Sequence, residues 1–226
     1  MGFKNYNIYL LIFENMKVAR FIFNDFSENT YVLYDETKEC VIIDPGCYTN
    51  SEQNELRKFI QENGLNPVKL INTHCHIDHV LGNSFVANTF SVALYLHKEE
   101  LLTYNNNFSL ANMFGYSLDA IPDNLIYINE GDVLTFGNTT LKVLLTPGHS
   151  IASLSFYNDD EKILISGDVL FYLSIGRTDL PGGNFETLIQ SIRTKLFTLP
   201  DETVVYSGHG NETTIGFEKQ NNPFLV

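Results

Sequence analysis

Positive charge is scarce in this chain. Fourteen Lys and Arg stand against 27 Asp and Glu in 226 residues, for a formal net charge of −13. Contact with a phosphate backbone depends on clustered Lys and Arg, so the shortage disfavours nucleic acid as a partner. Cysteine is scarce as well. Cys40, Cys47 and Cys75 form an odd count with no paired framework, which suits a reducing compartment and points to the cytoplasm. Each reads as a small buried hydrophobe rather than a nucleophile. No long apolar run follows the first few residues, and a membrane-spanning helix needs about 20 apolar positions. With 44% hydrophobic residues the chain reads as soluble and globular, with no membrane partner. The apolar opening from Tyr6 to Phe13 lacks a small-residue cleavage site before Glu14 and Lys17. Residues 1–15 therefore read as an N-terminal extension. No repeat and no low-complexity linker divides the rest, so 16–226 is expected to be a single domain.

Histidine is unevenly spent. Of six in the chain, three fall within Thr73-His74-Cys75-His76-Ile77-Asp78-His79, directly after the apolar run Val68-Lys69-Leu70-Ile71. Such a run reads as a buried strand, which puts the cluster where a strand gives way to a loop. Imidazoles and carboxylates are the usual ligands of a borderline divalent ion such as zinc. His74 and His76 can converge on one ion from a turn, and Asp78 and His79 can face a second. Three more ligand-type residues follow apolar strands, each behind a glycine that lets the backbone turn closely: His149 in Thr146-Pro147-Gly148-His149-Ser150, Asp168 in Ser166-Gly167-Asp168, and His209 in Ser207-Gly208-His209-Gly210.

Between these motifs, Val18–Phe23, Thr30–Tyr34 and Cys40–Ile43 read as strands, the third stopped by Asp44-Pro45-Gly46. Asp44 either contacts the metal region or caps its turn. Ser51 to Asn63 reads as a helix with Ser51 as N-cap and Gly64 as its end, Val80 to Phe90 as another, and Val92–Leu96 as a strand. His97 opens the charged run Lys98-Glu99-Glu100, typical of an exposed helix start. Tyr104 to Ala120 has weak periodicity and several aromatics; it is either a lid or wall over the site or a plain connecting loop. From Leu125 onward Ile126–Ile128, Val133–Phe136, Thr140–Leu145, Leu154–Tyr157 and Lys162–Ile165 read as the strands of a second sheet, followed by a helix from Asn184 to Phe197 and a last strand at Val204–Tyr206.

The motifs Thr-His-x-His-x-Asp-His, Thr-Pro-Gly-His-Ser, Gly-Asp and Gly-His, in this order, resemble the metallo-β-lactamase fold superfamily over nearly the whole chain from Met16. The resemblance implies a four-layer αββα sandwich, two mixed β-sheets flanked by helices, with metals at one edge of the sheets. Carried onto this sequence, it implies that His74, His76 and His149 bind one metal, that Asp78, His79 and His209 bind a second, and that Asp168 bridges both. Asp78 and Asp168 are then the catalytic carboxylates, and two zinc ions per chain, with iron or manganese as alternatives, activate water near neutral pH. Gly176-Arg177-Thr178-Asp179-Leu180-Pro181-Gly182-Gly183 and the ending Gly208 to Gly216 with Asn222-Pro223-Phe224 resemble the short glyoxalase II-like hydrolases, relatives of hydroxyacylglutathione hydrolase. That implies a small thioester as substrate and a monomer or homodimer. Arg177 and Phe171 are candidate substrate contacts, although Arg177 could instead order its loop by pairing with Asp179. Only 17 residues follow His209, fewer than the C-terminal helical domain that supplies much of the glutathione site in full-length glyoxalase II, so the thiol carrier stays open. A mononuclear iron persulfide dioxygenase resembles this family closely and is the alternative, with a lactonase behind it.

Overall fold

The structure is a computed structural model that describes residues 16–226; the extension assigned to residues 1–15 lies outside the described residues. Six strands form the first sheet in chain order: β1 (Lys17–Phe23), β2 (Glu28–Tyr34), β3 (Glu39–Ile43), β4 (Asn66–Ile71), β5 (Leu94–Leu96) and β6 (Leu125–Tyr127). The first three pair antiparallel and the rest parallel. The crossovers between parallel strands carry helices α1 (Asn50–Glu62), α2 (Ile77–Val80), α3 (Asn83–Phe90) and α4 (Glu100–Ala111). Next come β7 (Val133–Phe136), β8 (Thr139–Leu145), β9 (Leu154–Asn158) and β10 (Ile163–Gly167), the small hairpin of β11 (Leu170–Phe171) and β12 (Ser174–Ile175), helix α5 (Phe185–Thr194), strands β13 (Val204–Ser207) and β14 (Thr213–Thr214), and helix α6 (Ile215–Asn221). The second sheet runs β14-β13-β10-β9-β8-β7, with β10 and β13 parallel.

The strands are apolar on both faces, and their period of two deals successive side chains to different cores. Val32, Cys40, Ile42 and Leu70 pack outward against Leu56, Ile60, Val86 and Tyr104 of the helices. Their neighbours Leu33, Val41, Ile43 and Ile71 point inward to Leu141, Val143, Phe156 and Ile165 of the other sheet. On the far side Tyr157, Leu164 and Val205 meet Leu188 and Ile192 of α5 and Ile215 of α6. Three cores separate four layers, the expected αββα sandwich.

Four local expectations change. Ile126 and Tyr127 belong to the first sheet, paired parallel to β5, and not to the second; strand propensity marks a strand but not its partner, and the α4 crossover returns this one to the edge beside β5. Thr49, not Ser51, caps α1: its side chain accepts from Glu52 N and the Glu52 carboxylate returns to Thr49 N, a full capping box. The helix expected over Val80 to Phe90 is two, broken around Gly82, where a Cβ would lie 2.5 Å from Cys47 Sγ and 2.7 Å from Pro45 O. Tyr104 to Ala120 is no plain loop, because α4 and a 3-10 turn at Asn112–Phe114 cover its first half.

Candidate metal centre

Strand ends supply every expected ligand. His74 and His76 follow β4, with Asp78 and His79 in the single turn of α2; His149 follows β8, Asp168 follows β10 and His209 follows β13. Because β4, β10 and β13 end at one edge of the sandwich, all seven side chains meet there. His74 Nε2 lies 3.2 Å from His149 Nε2, and His76 Nδ1 lies 2.9 Å from the same atom. His209 Nε2 is 3.1 Å from Asp78 Oδ2, and His79 Nε2 is 3.5 Å from Asp78 Oδ2. Asp168 faces both groups, with Oδ2 3.5 Å from His149 Nε2 and from His209 Nε2 and Oδ1 3.5 Å from His79 Nε2. His74, His76 and His149 make one set of convergent ligand atoms, and Asp78, His79 and His209 another.

Glycine permits this crowding. At Gly208 a Cβ would stand 2.1 Å from Asp168 Oδ1 and 2.8 Å from His79 Cε1, so any larger residue would displace a candidate ligand. Gly167 turns the chain with φ of +53° at a register shift in β10, against Thr73.

Outer partners fix which nitrogen of each ring faces inward. Thr73 Oγ1 donates to Asp44 Oδ2 at 2.5 Å, so at 3.0 Å from His74 Nδ1 it accepts the ring proton. His79 Nδ1 donates to Asp44 Oδ2 at 3.1 Å, His149 Nδ1 to the Arg177 carbonyl at 2.8 Å, and His209 Nδ1 to the Phe26 carbonyl at 3.1 Å. In all four rings Nε2 is left to the centre, the arrangement by which outer partners orient metal-ligating histidines. Asp44 thus contacts the cluster and also sits at its turn, with φ of +48°.

Burial, and then the neighbouring imidazoles of His79, His76 and His149, hold His74 well below the usual histidine range; burial and His149 push His76 down to about 3. His79 and His209 go the other way. Burial opposes their charge, but Asp78 and Asp168 outweigh it and raise both. Burial likewise opposes the charge of Asp168, yet His79, His149 and His209 hold it well below the carboxylate range. His79 Nε2 and Asp168 Oδ1 are buried without a hydrogen-bond partner. Buried polar atoms are rarely left so. Inward lone pairs, crowded carboxylates and two orphaned atoms fit a divalent cation in each half.

Two residues that no motif singles out matter here. Glu100, expected at an exposed helix start, is 1% exposed, and its carboxyl group accepts from Cys75 N and Ala152 N, both at 2.9 Å, and from the Ser150 hydroxyl. Glu28 is fully buried with Oε1 3.9 Å from His79 Nδ1, and burial raises its pKa well above the usual range. Among the substrate candidates, the Arg177 guanidinium turns outward and pairs bidentately with Asp179 at 2.7 Å, so it is the Arg177 carbonyl that meets the cluster. Phe171 stands at the rim, its ring centroid 6.4 Å from that of His209. Phe114 and Tyr116 pack on Phe26, each at 5.8 Å between centroids, and make a wall beside the second group. The three cysteines are buried and unpaired, with Cys75 turned into the core and its thiol pushed well up by burial.

A four-layer sandwich with paired His and Asp groups at one sheet edge is the layout of a metal-dependent enzyme class. The model of the metallo-beta-lactamase superfamily matches residues 24–209, and the chain belongs to that family. It is 40% identical over 213 residues to the probable metallo-hydrolase YqgX of Bacillus subtilis, covering 93% of this chain and 98% of that one. It is 37% identical to the hydroxyacylglutathione hydrolase GloC of Haemophilus influenzae, covering 88% and 93%. Among solved structures it resembles BLEG-1 B3 metallo-beta-lactamase (39% identity, 93% and 100% covered, TM-score 0.82) and TTHA1623 in a di-iron-bound form (35%, 92% and 100%, TM-score 0.82). It also resembles ETHE1 from Myxococcus xanthus at 27% identity, with 92% and 83% covered and a TM-score of 0.74. Among the described residues no helix is long and apolar enough to cross a membrane.

Proposed function

We propose that the protein hydrolyses a small thioester with two metal ions, one held by His74, His76 and His149, the other by Asp78, His79 and His209, with Asp168 shared. The observation that carries this reading is the single edge where two three-ligand groups face one carboxylate. When bound, a pair of divalent ions supplies a nucleophile from water near neutral pH and polarises the substrate carbonyl. The chain does the rest. Asp44, Thr73 and the carbonyls of Arg177 and Phe26 keep four imidazoles in the tautomer that presents Nε2. Asp78 and Asp168 would supply the negative charge that offsets the ions, Asp168 facing both groups of imidazoles. Phe171, at the rim, is the substrate contact in this reading, while Arg177, its guanidinium held by Asp179, orders the loop whose carbonyl orients His149. A thiolate leaves easily, so no separate acid is required of the protein. The resemblance to GloC supports a thioester. The ligand set suits zinc and also iron or manganese, as the di-iron neighbour illustrates. A small-molecule substrate, a monomer or homodimer and a cytoplasmic setting complete the proposal.

A mononuclear iron persulfide dioxygenase is the rival, and it would leave the second group idle; the orphaned His79 Nε2 supports two ions instead. Metal content measured with turnover of thioesters, lactones, β-lactams and persulfides separates the readings. Two metals per chain with thioester cleavage is expected. One iron per chain with oxygen uptake on a persulfide would overturn the hydrolase.

A further inference from the structure

Helix α4 turns Glu100, Tyr104, Asn107 and Ala111 to the interior, an inward stripe at helical spacing that is half polar. Buried polar side chains need partners. Those of α4 are the ligand loops. Cys75 lies between His74 and His76, and both of its peptide groups are taken: its N–H donates to Glu100 Oε2 at 2.9 Å and its carbonyl accepts from Asn107 Nδ2 at 2.8 Å. The other carboxyl oxygen of Glu100 accepts from the Ser150 hydroxyl and from Ala152 N, in the loop that follows His149. Farther along the stripe the Tyr104 hydroxyl accepts from Asn83, which bonds Asn72, whose amide in turn donates to the His79 carbonyl at 3.1 Å.

The two loops spring from different sheets, one after β4 and the other after β8. A backbone hydrogen bond from Leu154 N to Thr73 O at 2.7 Å joins them just outside the centre. At the level of the imidazoles it is the Glu100 carboxyl group that spans them. We propose that Glu100 is a positioning residue of the metal centre, fixing His149 relative to His74 and His76 and thereby setting how tightly those three nitrogens take a divalent ion. The inference rests on the metal-binding reading above. Two of the three donors are backbone N–H groups, one on each loop, so glutamine, equal in shape, must oppose an N–H of its own to that of Cys75 or of Ala152 and weaken its hold on one loop, even where the Ser150 hydroxyl turns to accept.

The test uses the metal-free full chain and Glu100→Gln, titrated with Zn2+ against a competing chelator and with Co2+ followed by its visible absorption. His149→Ala, which lacks one nitrogen of the group, identifies the equivalent that belongs to it. In E100Q that equivalent weakens by about 10–100-fold, the usual cost of losing an outer partner, and its Co2+ bands shift, while the other equivalent and the circular dichroism hold. Two wild-type-like equivalents in E100Q, or equal loss of both, would overturn the role of Glu100 alone. A wild-type chain that takes up no metal would overturn both this inference and the hydrolase reading. Should E100Q not fold, Ser150→Ala and Asn107→Leu, each lacking one hydrogen bond of the same network, take its place: selective weakening of the same equivalent supports the role, and unchanged affinity ends it.

Discussion

The two halves of the metal centre share an edge and Asp168, but they are supported by opposite means. His74, His76 and His149 contain no carboxylate of their own; burial and mutual repulsion drive His74 and His76 toward the neutral form, and their loops are gripped by hydrogen bonds from α4. The other half pairs Asp78 with His79 and His209, is backed by Asp44 and Glu28, and raises both of its imidazoles. A divalent cation answers each imbalance: it gives the first half a partner for three lone pairs, and the second a counter-charge for its carboxylates. The difference shows that one ligand chemistry can be held either by geometry alone or by geometry plus charge. Separate substitutions should therefore disturb one half without the other.

Asp168→Ala is expected to have the largest effect because it belongs to both halves. Loss of an outer partner costs about 10–100-fold in metal affinity or activity, and loss of a shared ligand should exceed the top of that range. Turnover should fall beyond detection near wild-type levels and both metal equivalents should weaken, with circular dichroism unchanged; retained activity would contradict the bridging role. Asp44→Asn is the counterpart of the Glu100 substitution. Asp44 accepts from Thr73 N at 2.7 Å, from Thr73 Oγ1 and from His79 Nδ1, so an asparagine must oppose an N–H with its own. The expected loss, about 10–100-fold in affinity, falls most on the Asp78, His79 and His209 equivalent, whose His79 it touches directly, and less on the His74 equivalent, which it reaches only through Thr73. Equal loss in both halves would erase the distinction between them.

Much of this site was legible from residue types alone. The seven candidate ligands could be read because each combines a ligand-type side chain with the end of an apolar run, and the layered fold follows from those runs together with the resemblance. Glu100 was hidden for a physical reason: its neighbours His97, Lys98 and Glu99 read as solvated, and hydropathy scores a buried carboxylate as exposed. The inward face of α4 carries Glu and Asn where an amphipathic pattern expects apolar residues, so its periodicity looked weak although its geometry is regular. Strand β6 failed differently. Its propensity was correct and its sheet was not, because pairing is settled by a crossover whose length and direction a local window does not contain.

The smallest expected effect comes from a carboxyl group at the opposite end of β2, and it serves as a baseline for both halves. Asp35 follows β2, whose other end is Glu28 beside His79, and it accepts from Thr37 N at 3.0 Å, from Asn138 N at 2.7 Å and from Thr139 Oγ1 at 2.9 Å. Burial opposes its charge, but these hydrogen bonds prevail and lower its pKa. A group with a depressed folded pKa contributes stability that is complete above its unfolded value, about 3.9, and is lost as pH falls through the folded one. Asp35→Ala should therefore destabilise the protein by about 1–3 kcal/mol at neutral pH, through the donors left unpaired in the β7–β8 turn, and should flatten the fall of stability below about pH 4. Denaturant unfolding of the metal-free and metal-loaded chains would measure it. Because no candidate ligand touches Asp35, the loss should be the same in both; a loss that changes with metal would show that the centre and this turn are coupled along β2, and that the two halves are not insulated from the rest of the sheet.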